Sequence, residues 1–586
     1  MNFGRSFLAA LLGSLTSFLI FFIFLMIIIS GVASIASLEN QISFIKDDSI
    51  LKLDLNKPVN ERNSMYQEFE SVLGLDEEIL GLNNIIKSIK IAKENEKIKG
   101  IELKCDFPLT GWAQTRTIRE ALKDFKNSGK FIYAYSDVFT QKGYYLASIA
   151  DTIGINPEGT IEFKGLSSEV LYYKDFQDEY GIKMEVIRHG KYKSAVEPYL
   201  QNKMSSENRE QIKELLESIW ETISNEISES RGINDLKINQ IAENLEANTP
   251  NKALSSNLID LIIYEDQMDS IIKKSINLEY EKDLNKVSIK KLIASQNNYN
   301  NQIKDRIAVV YATGTILYGE GSENIIGQNV FVNTFKKISN DDWIKAIVLR
   351  IDSPGGVALT SDIILRSLQL AKSKKPVIVS MGNIAASGGY YIASGADKIY
   401  ADPLSITGSI GVFASLPNIS GFAKNIGLNS EQVSTHKNSI GYSIYEPLQP
   451  GFIKSTRENI EKVYESFKSK VSEGRNLSLD EVESIAQGRV WSGKQALKIG
   501  LIDSLGDLNT AIKGAAKIAE IEEFNIVEYP KRKASFESFI QDFSILLREN
   551  QIESQVPEFI KILTDKRKNI SNQNIQALLP FEIKIY

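Results

Sequence analysis

Ser387 has the surroundings in this chain that best suit nucleophilic chemistry. It lies in SMGNIAASGGYYIAS, residues 380–394, just after the β-branched run PVIVSM and between two alanines and two glycines. A serine on a tight strand-to-helix turn can attack an acyl carbon if a base removes its proton. The same pattern also suits ordinary small-residue packing at a turn. The local sequence therefore indicates a nucleophile without indicating its base.

A second glycine-containing turn offers hydrogen-bond donors for the same reaction. SPGG, residues 353–356, follows a predicted strand, and its glycines let backbone N–H groups approach a ligand closely. An oxyanion formed by attack of Ser387 needs two fixed N–H donors. The amide of Gly388 together with that of Gly355 or Gly356 would serve. Taken alone, either stretch is equally well explained as a plain turn.

Two kinds of base are open to this serine. The chain has two histidines, His189 and His436, so a Ser-His-Asp triad is not formally excluded, although neither histidine lies in a motif connected with a nucleophile. The stretch HGKYKSAVEPY offers two lysines instead, Lys191 and Lys193. A lysine acts as a base at neutral pH only if burial lowers its pKa from about 10.4 to about 7 to 8, which costs roughly 4 kcal/mol. These residues alone do not distinguish Lys191 from Lys193.

The chain contains one domain twice. IKGIELKCDFP, residues 98–108, matches IKAIVLRIDSP, residues 344–354, at an offset of 246 positions. The same offset aligns residues 142–157 with residues 388–403 without a gap. Self-similarity of this kind indicates a duplication, so each copy serves as a control for the other.

The two copies differ where chemistry is expected. Ser387 corresponds to Gln141, Gly388 corresponds to Lys142, and SPGG corresponds to FPLT, residues 107–110, which contains no glycine. The second copy in turn has no lysine at the position equivalent to Lys193. The serine is therefore not required by the fold, and a site at the junction of the copies would use the serine of one and a lysine of the other.

Each copy alternates short β-branched runs with amphipathic helical patterns, which predicts an α/β domain. RIAVVYATGTI, KAIVLRID and KPVIVSMG read as buried strands, and LTSDIILRSLQLAKS reads as a helix. The polar stretch ASQNNYNNQIKD separates the copies. We predict five segments: an amino-terminal end and anchor (1–46), a first repeat (47–293), a linker (294–305), a second repeat (306–530) and a carboxyl-terminal tail (531–586).

The amino terminus predicts a retained membrane anchor. Residues 6–38 carry no charge, and the apolar centre FLIFFIFLMIII belongs to a stretch longer than the apolar core of a signal peptide, about 7 to 15 residues, and long enough to span a bilayer, which takes about 20. Arg5 precedes this stretch, and Glu39 and Asp47 follow it. The positive-inside rule then keeps the short amino end in the cytoplasm. For a bacterial chain, we expect one pass through the inner membrane with the bulk on the periplasmic side.

The composition limits the other partners. A net charge of −6 and a pI near 5.5 argue against a nucleic-acid surface, which needs concentrated Lys and Arg. One cysteine, Cys105, cannot form a disulfide within the chain, and together with two histidines it leaves too few ligands for a Cys/His zinc or iron site. We therefore expect no nucleic-acid partner and no such metal centre.

Four ordered motifs carry a resemblance to a known family. GKYKSAVEPY, IDSPGG, MGNIAASGGYYIAS and ITGSIGVF (residues 406–413) together closely resemble the signal peptide peptidase A family, in its long, duplicated, membrane-anchored form also called protease IV. The resemblance covers most of the chain from the anchor to about residue 530. It does not extend to the tail.

The resemblance implies a fold and an activity. It implies two tandem domains like Clp protease and crotonase, a serine endopeptidase without metal or cofactor, and cleavage of leftover signal peptides in or near the membrane plane. Carried over by motif, it assigns Ser387 as nucleophile and Lys193 as general base, in preference to Lys191. It also implies a homotetramer in which each Ser-Lys dyad forms between the two halves of one chain. With this chemistry, Gly388 and Gly356 are the expected oxyanion donors.

Two other functions remain as alternatives. A crotonase-like acyl-CoA enzyme would use the same glycine amides to hold an enolate, but it needs neither a membrane anchor nor a serine at this turn. A membrane scaffold that has kept the duplicated fold would need no nucleophile at all. A serine-directed probe that labels Ser387 only when Lys193 is present distinguishes the dyad from both.

Overall fold

The computed structural model describes residues 13–22, 45–63, 80–295, 302–531 and 576–578. Residues 13–22 are helical and exposed; the rest of the predicted anchor stretch lies outside the described residues, as do residues 296–301 of the predicted linker and most of the predicted tail. Within these described ranges, none of the helices combines the length and the hydrophobicity that a bilayer crossing requires.

The first repeat is built on a parallel six-stranded sheet with the order β8-β6-β5-β4-β1-β9. Its helices lie between successive strands, as the alternating sequence pattern predicts. The first repeat has nine described strands, of which β2 and β3 pair with each other and β7 belongs to a third sheet. They are β1 Ser49–Asp54, β2 Val59–Asn60, β3 Leu80–Gly81, β4 Ile98–Lys104, β5 Phe131–Phe139, β6 Thr152–Ile161, β7 Lys183–His189, β8 Leu261–Ile262 and β9 Lys286–Val287. The helices are α1 Leu82–Glu94, α2 Trp112–Lys126, α3 Gln141–Ala147, α4 Lys174–Tyr180, α5 Ser206–Arg231, α6 Asp235–Glu243, α7 Pro250–Ser255, α8 Glu265–Ser275 and α9 Ile289–Ala294, with a 3₁₀ helix at Ser194–Tyr199.

The second repeat contains an eight-stranded sheet with the path β20-β18-β16-β14-β10-β22, in which β17 also pairs with β16 and β21. Its strands are β10 Arg306–Thr313, β11 Thr315–Leu317, β12 Gly321–Ser322, β13 Ile325–Gly327, β14 Ile344–Ser353, β15 Gly355–Val357, β16 Val377–Ala386, β17 Lys398–Ala401, β18 Ile406–Gly408, β19 Val412–Asn418, β20 Val490–Ser492, β21 Ser504–Leu505 and β22 Asn525–Tyr529, and β23 Gln576–Leu578 follows in the tail. Its helices are α10 Gln328–Ser339, α11 Ala358–Lys372, α12 Gly388–Ala393, α13 Ser420–Asn425, α14 Pro450–Arg475, α15 Leu479–Ile485, α16 Gly493–Lys498 and α17 Leu508–Ile518.

The chain is thus an α/β protein with a duplicated architecture. Strands β4 and β14 begin 246 positions apart, and so do β5 and β16 and the helices α2 and α11. The parallel strands of each sheet are buried because helices cover both faces. In β14, Ile347, Val348 and Leu349 have no exposed surface, and their side chains point alternately into two separate hydrophobic clusters.

A third sheet joins the two repeats. It has seven strands in the order β12-β13-β11-β15-β23-β19-β7, so it takes β7 from the first repeat and most of its other strands from the second. Strand β7 runs antiparallel to β19, from the pair Val412 and His189 to the pair Asn418 and Lys183. This ladder carries the segment that follows β7 into the second repeat.

Several ion pairs also cross between the repeats, and one of them is buried on both sides. Arg350 on β14 binds Glu61 with its Nε 2.8 Å from Oε2, and both side chains are only 3% exposed. Arg116 on α2 binds Asp402 at 3.1 Å. Both pairs tie the sequence-distant halves into one body around their junction.

Candidate active site

Ser387 lies on the sharp turn between β16 and α12. Its backbone angles are φ 53° and ψ −116°, a conformation that costs a non-glycine residue about 1 to 3 kcal/mol. Hydrogen bonds hold this turn, because the Ser387 N–H donates to the Gly408 carbonyl at 2.8 Å and the Tyr391 N–H donates to the Ser387 carbonyl at 2.8 Å. The serine has no exposed surface. The turn that the sequence predicts is therefore present and strained, with its hydroxyl directed into the interior.

Lys193 reaches the same point from the first repeat. It lies between β7 and the 3₁₀ helix, and it is fully buried. Its Nζ is 3.0 Å from Ser387 Oγ, although the two residues are 194 positions apart in sequence. The structure thus brings together the serine of one repeat and the lysine of the other.

Burial controls the charge of this lysine. Desolvation lowers the pKa of Lys193 well below the ordinary 10.5, and among the described residues no carboxylate forms an ion pair that would oppose this shift. The Phe413 ring centre lies 5.9 Å from Nζ, at the outer limit of a cation–π contact, which stabilises an ammonium less than a buried counter-ion would. An amine in this environment favours its neutral form, which has a lone pair able to accept a proton.

Two glycines make room for the lysine stem. A Cβ on Gly488 would lie 2.6 Å from Lys193 Cβ, and Gly488 has a φ of +81°. A Cβ on Gly411 would lie 3.2 Å from Lys193 Cδ. Small residues at these positions let the lysine side chain pack closely against the second repeat, which excludes water from its amine.

Ser409 is a site residue that the sequence reasoning did not single out. Its carbonyl oxygen and Oγ lie 3.2 Å and 3.0 Å from Lys193 Nζ, and its hydroxyl lies 3.3 Å from the Gly488 carbonyl. Ser409 has a φ of 52° and is fully buried. The signal was available, because Ser409 belongs to the quoted motif ITGSIGVF, but nothing local indicates that its oxygens face a lysine.

The glycine amides lie beside the serine. A Cβ on Gly388 would be 3.2 Å from the Gly356 nitrogen, so these two backbone amides are neighbours. Gly388 opens α12, and the first N–H groups of a helix have no intrahelical acceptor. The Gly355 N–H already donates to Ser353 Oγ at 3.1 Å. The sequence offers Gly355 or Gly356 as the second oxyanion donor, and Gly356 is therefore better suited to donate to a bound ligand.

The remaining candidate bases lie elsewhere. Lys191 is exposed, with Nζ 5.1 Å from the Tyr192 ring centre. His189 stacks on Tyr464 and has Nδ1 2.7 Å from Glu461 Oε2. His436 is exposed, and its Nδ1 lies 3.0 Å from Thr435 Oγ1. In the described part of the chain, none of these three residues makes a hydrogen bond to the serine.

The equivalent point of the first repeat is filled by a side chain. The Gln141 Oε1 accepts hydrogen bonds from the backbone amides of Lys164 at 3.0 Å and Gly165 at 3.2 Å. Lys142, the counterpart of Gly388, has Nζ 2.5 Å from the Thr110 carbonyl, and burial lowers its pKa to about 8. The first repeat therefore has neither a nucleophile nor a free pair of glycine amides at this turn.

The described residues include no group of three or more His, Cys, Asp or Glu side chains able to hold a metal ion. The chemistry that the arrangement supports is proton transfer from a buried hydroxyl to a buried amine, next to two backbone donors.

Comparisons with known proteins give matches over most of the chain. The model of peptidase family S49 matches residues 124–279 and 369–522, one segment in each repeat. The chain is 34% identical to Protease 4 of Haemophilus influenzae over 518 residues, which cover 86% of this chain and 81% of that protein. It is 30% identical to Protease 4 of Salmonella typhi over 82% of this chain and 78% of that protein. It is also 31% identical to the chloroplastic serine protease SPPA of Arabidopsis thaliana over 81% of this chain and 70% of that protein.

Proposed function

The chain belongs to peptidase family S49 and is a serine protease of the protease IV type, and on this basis we propose that Ser387 is its nucleophile and Lys193 its general base. The observation that carries the proposal is the 3.0 Å separation of Lys193 Nζ from Ser387 Oγ in a site buried from water. A general base must lie within hydrogen-bond reach of the proton that it removes.

The hydrogen bonds around Lys193 suit a neutral amine. Such an amine has two N–H donors and one lone pair. The carbonyl and hydroxyl oxygens of Ser409 accept the two N–H groups, while the Ser409 hydroxyl donates to the Gly488 carbonyl. The lone pair is then directed to the Ser387 hydroxyl. Ser409 acts as a positioning residue, because its contacts orient the amine.

Acylation follows from this geometry. Lys193 takes the proton from Ser387 Oγ as Oγ bonds to the scissile carbonyl carbon, and the carbonyl oxygen becomes an oxyanion that accepts from the Gly388 and Gly356 amides. When this intermediate collapses, the C–N bond breaks and the Lys193 ammonium protonates the departing amine. The products of this half-reaction are a free amine and an acyl-enzyme on Ser387.

Deacylation repeats the steps with water. The neutral Lys193 removes a proton from a water molecule, whose oxygen attacks the ester carbon. Collapse of the second intermediate breaks the bond to Ser387 Oγ, and the ammonium returns the proton to that oxygen. The enzyme is regenerated and a carboxylic acid is released, so no cofactor is consumed.

The proposal also covers the membrane anchoring, the substrate class and the assembly of the enzyme. We infer a membrane-anchored endopeptidase that digests cleaved signal peptides, with one bilayer pass in the bacterial inner membrane and the bulk on the periplasmic side. The uncharged residues 6–38 support the anchor, and the resemblance supports the substrate class and a homotetramer. The order of strands and helices supports two Clp protease/crotonase-like repeats, at 47–293 and 306–530. The anchor (1–46) precedes the first repeat, the linker (294–305) separates the two, and the tail (531–586) follows the second.

A serine-directed probe tests the dyad. A fluorophosphonate should label the wild-type chain at Ser387, and Ser387→Ala should abolish both labelling and hydrolysis of an apolar fluorogenic peptide. Lys193→Met should lower the labelling rate by about 10²- to 10⁴-fold, because the base is lost while the buried volume is kept. Lys191→Met is the matched control and should retain labelling, and so should His189→Ala and His436→Ala. Equal labelling of the Lys193 variant and the wild type would refute the dyad.

A further inference from the structure

A short strand from the carboxyl-terminal tail lies in the sheet that joins the repeats. Strand β23, Gln576–Leu578, is inserted between β15 and β19. It runs antiparallel to β15, with Gly355 opposite Leu578, Gly356 opposite Ala577 and Val357 opposite Gln576. It is also antiparallel to β19, where Phe413 lies opposite Gln576.

The strands on either side of β23 belong to the core of the second repeat, whereas β23 comes from beyond its last strand, β22. Neighbouring strands lie about 4.8 Å apart, so β15 and β19 are separated by a gap of roughly 10 Å that one extended chain fills. An unfilled gap of this kind presents two rows of backbone donors and acceptors. Such edges bind extended peptides through main-chain hydrogen bonds.

This gap borders the proposed dyad. Gly356, which lies opposite Ala577, has its nitrogen next to Gly388. Phe413, which lies opposite Gln576, has its ring 5.9 Å from Lys193 Nζ. The tail backbone therefore passes between an expected oxyanion donor and the neighbourhood of the general base, which is the path that a peptide substrate must follow.

We propose that residues 576–578 of the chain's own tail occupy the peptide-binding cleft of the enzyme, so that the protease carries a built-in competitor of its substrates. This inference rests on the proposed function, because it identifies the gap between β15 and β19 as the substrate cleft.

The chemistry of the segment fits the cleft. Residues 576–578, Gln-Ala-Leu, carry no charge, and the strands beside them, Gly355–Val357 and the first residues of β19, carry none either. A short uncharged strand that includes a small and an apolar residue, Ala577 and Leu578, is also the substrate type expected of this enzyme. Because the segment belongs to the same chain, its binding is an intramolecular event that needs no second molecule.

A disulfide in the full chain tests the contact independently of activity. Val357→Cys with Gln576→Cys places two cysteines directly opposite each other, about 4.5 to 5.5 Å apart at Cβ. We expect an intrachain crosslink, detected by peptide mapping under mild oxidation, and the native Cys105 is buried and does not interfere. The control is Val357→Cys with Ala577→Cys, because successive side chains of a strand point to opposite faces.

This crosslinking experiment has clear contrary outcomes. Absence of the crosslink, equal crosslinking in the control pair, or a crosslink only between chains would overturn the proposal. Val357 and Phe413 are both buried, so Phe413→Cys with Gln576→Cys provides an independent second pair on the other side of β23 should the first variant fail to fold.

A kinetic experiment tests the competition. Ala577→Pro removes one N–H from the middle of β23 and disfavours strand pairing. We expect KM for an apolar fluorogenic peptide to fall by about fivefold or more, with kcat unchanged, because the tethered competitor is lost. A synthetic peptide of residues 572–581 should then inhibit the variant competitively.

The outcomes separate this inference from the dyad itself. If Ser387→Ala is inactive but Ala577→Pro has the wild-type KM and the added peptide does not inhibit, the dyad stands and the tail inference is wrong. If Ser387→Ala remains active, the proposed function is wrong, whereas the disulfide result still reports where the tail lies.

Discussion

The protonation state of Lys193 determines whether it can act as a base, and it can be measured through stability. The lysine is fully buried with a strongly lowered pKa, so over a range of pH the folded chain holds a neutral amine. In the unfolded chain the same side chain has its ordinary pKa of 10.5 and binds a proton. Unfolding therefore takes up one proton at this residue between the native pKa and 10.5, and the folded state is stabilised as the pH rises.

The expected magnitude follows from that proton. The stability of the wild type relative to Lys193→Met should rise by about 1.4 kcal/mol for each pH unit within this window, because methionine binds no proton in either state. Below the native pKa of Lys193 the difference should become constant, since the lysine is then protonated in both states. All other titrating groups are shared by the two proteins, and their contributions cancel in the difference.

The assay is a series of denaturant unfolding curves for both full-length proteins at closely spaced pH values. Lys191→Met is the matched control, because that lysine is exposed, and its difference from the wild type should stay flat across the window. Parallel pH profiles for the wild type and Lys193→Met would show that the folded protein holds a charged lysine. That result would refute the general-base mechanism.

Two further predictions concern the packing around the site, and a third concerns the buried ion pair between the repeats. Gly488→Ala should lower kcat and probe labelling by at least about tenfold, because its Cβ would lie 2.6 Å from Lys193 Cβ at a left-handed backbone position; unchanged labelling would show that the lysine stem can move aside. Ser409→Ala should lower kcat by about fivefold with KM unchanged, since one hydrogen bond of roughly 1 kcal/mol that orients the amine is lost; a change confined to KM would contradict a positioning role. Arg350→Met should destabilise the fold by about 3 to 5 kcal/mol, measured by denaturant unfolding, because it leaves the Glu61 carboxylate buried without its partner; a loss below 1 kcal/mol would show that water or another cation replaces the guanidinium.

Much of the fold follows from local patterns. The β-branched runs and the amphipathic stretch before Lys372 predict β10, β14, β16 and α11, and the structure has each of them. The offset of 246 positions predicts two similar α/β halves, and matching elements do begin at that spacing. These features are readable because hydrophobic periodicity and turn composition act within a few residues of each other.

The serine turn was also predictable, whereas its strain was not. The residues around Ser387 predict a nucleophile between a strand and a helix, and the structure has that turn. The positive φ is held in part by the hydrogen bond from the Ser387 N–H to the Gly408 carbonyl on β18, which forms only when the sheet is assembled. The choice of Lys193 over Lys191 came from the family resemblance, since both lysines stand in the same short stretch.

The sequence by itself determined the strands, the helices, the duplication and the chemical types at the site. Only the tertiary structure decided that β7 pairs with β19, that Lys193 therefore reaches Ser387 across the two repeats, that Ser409 faces the same amine, and that a tail strand lies between β15 and β19. The physical reason is that local propensity depends on neighbouring residues, whereas these contacts join segments far apart in the chain. Their energy comes from burial and ladder pairing that exist only once both repeats have folded together.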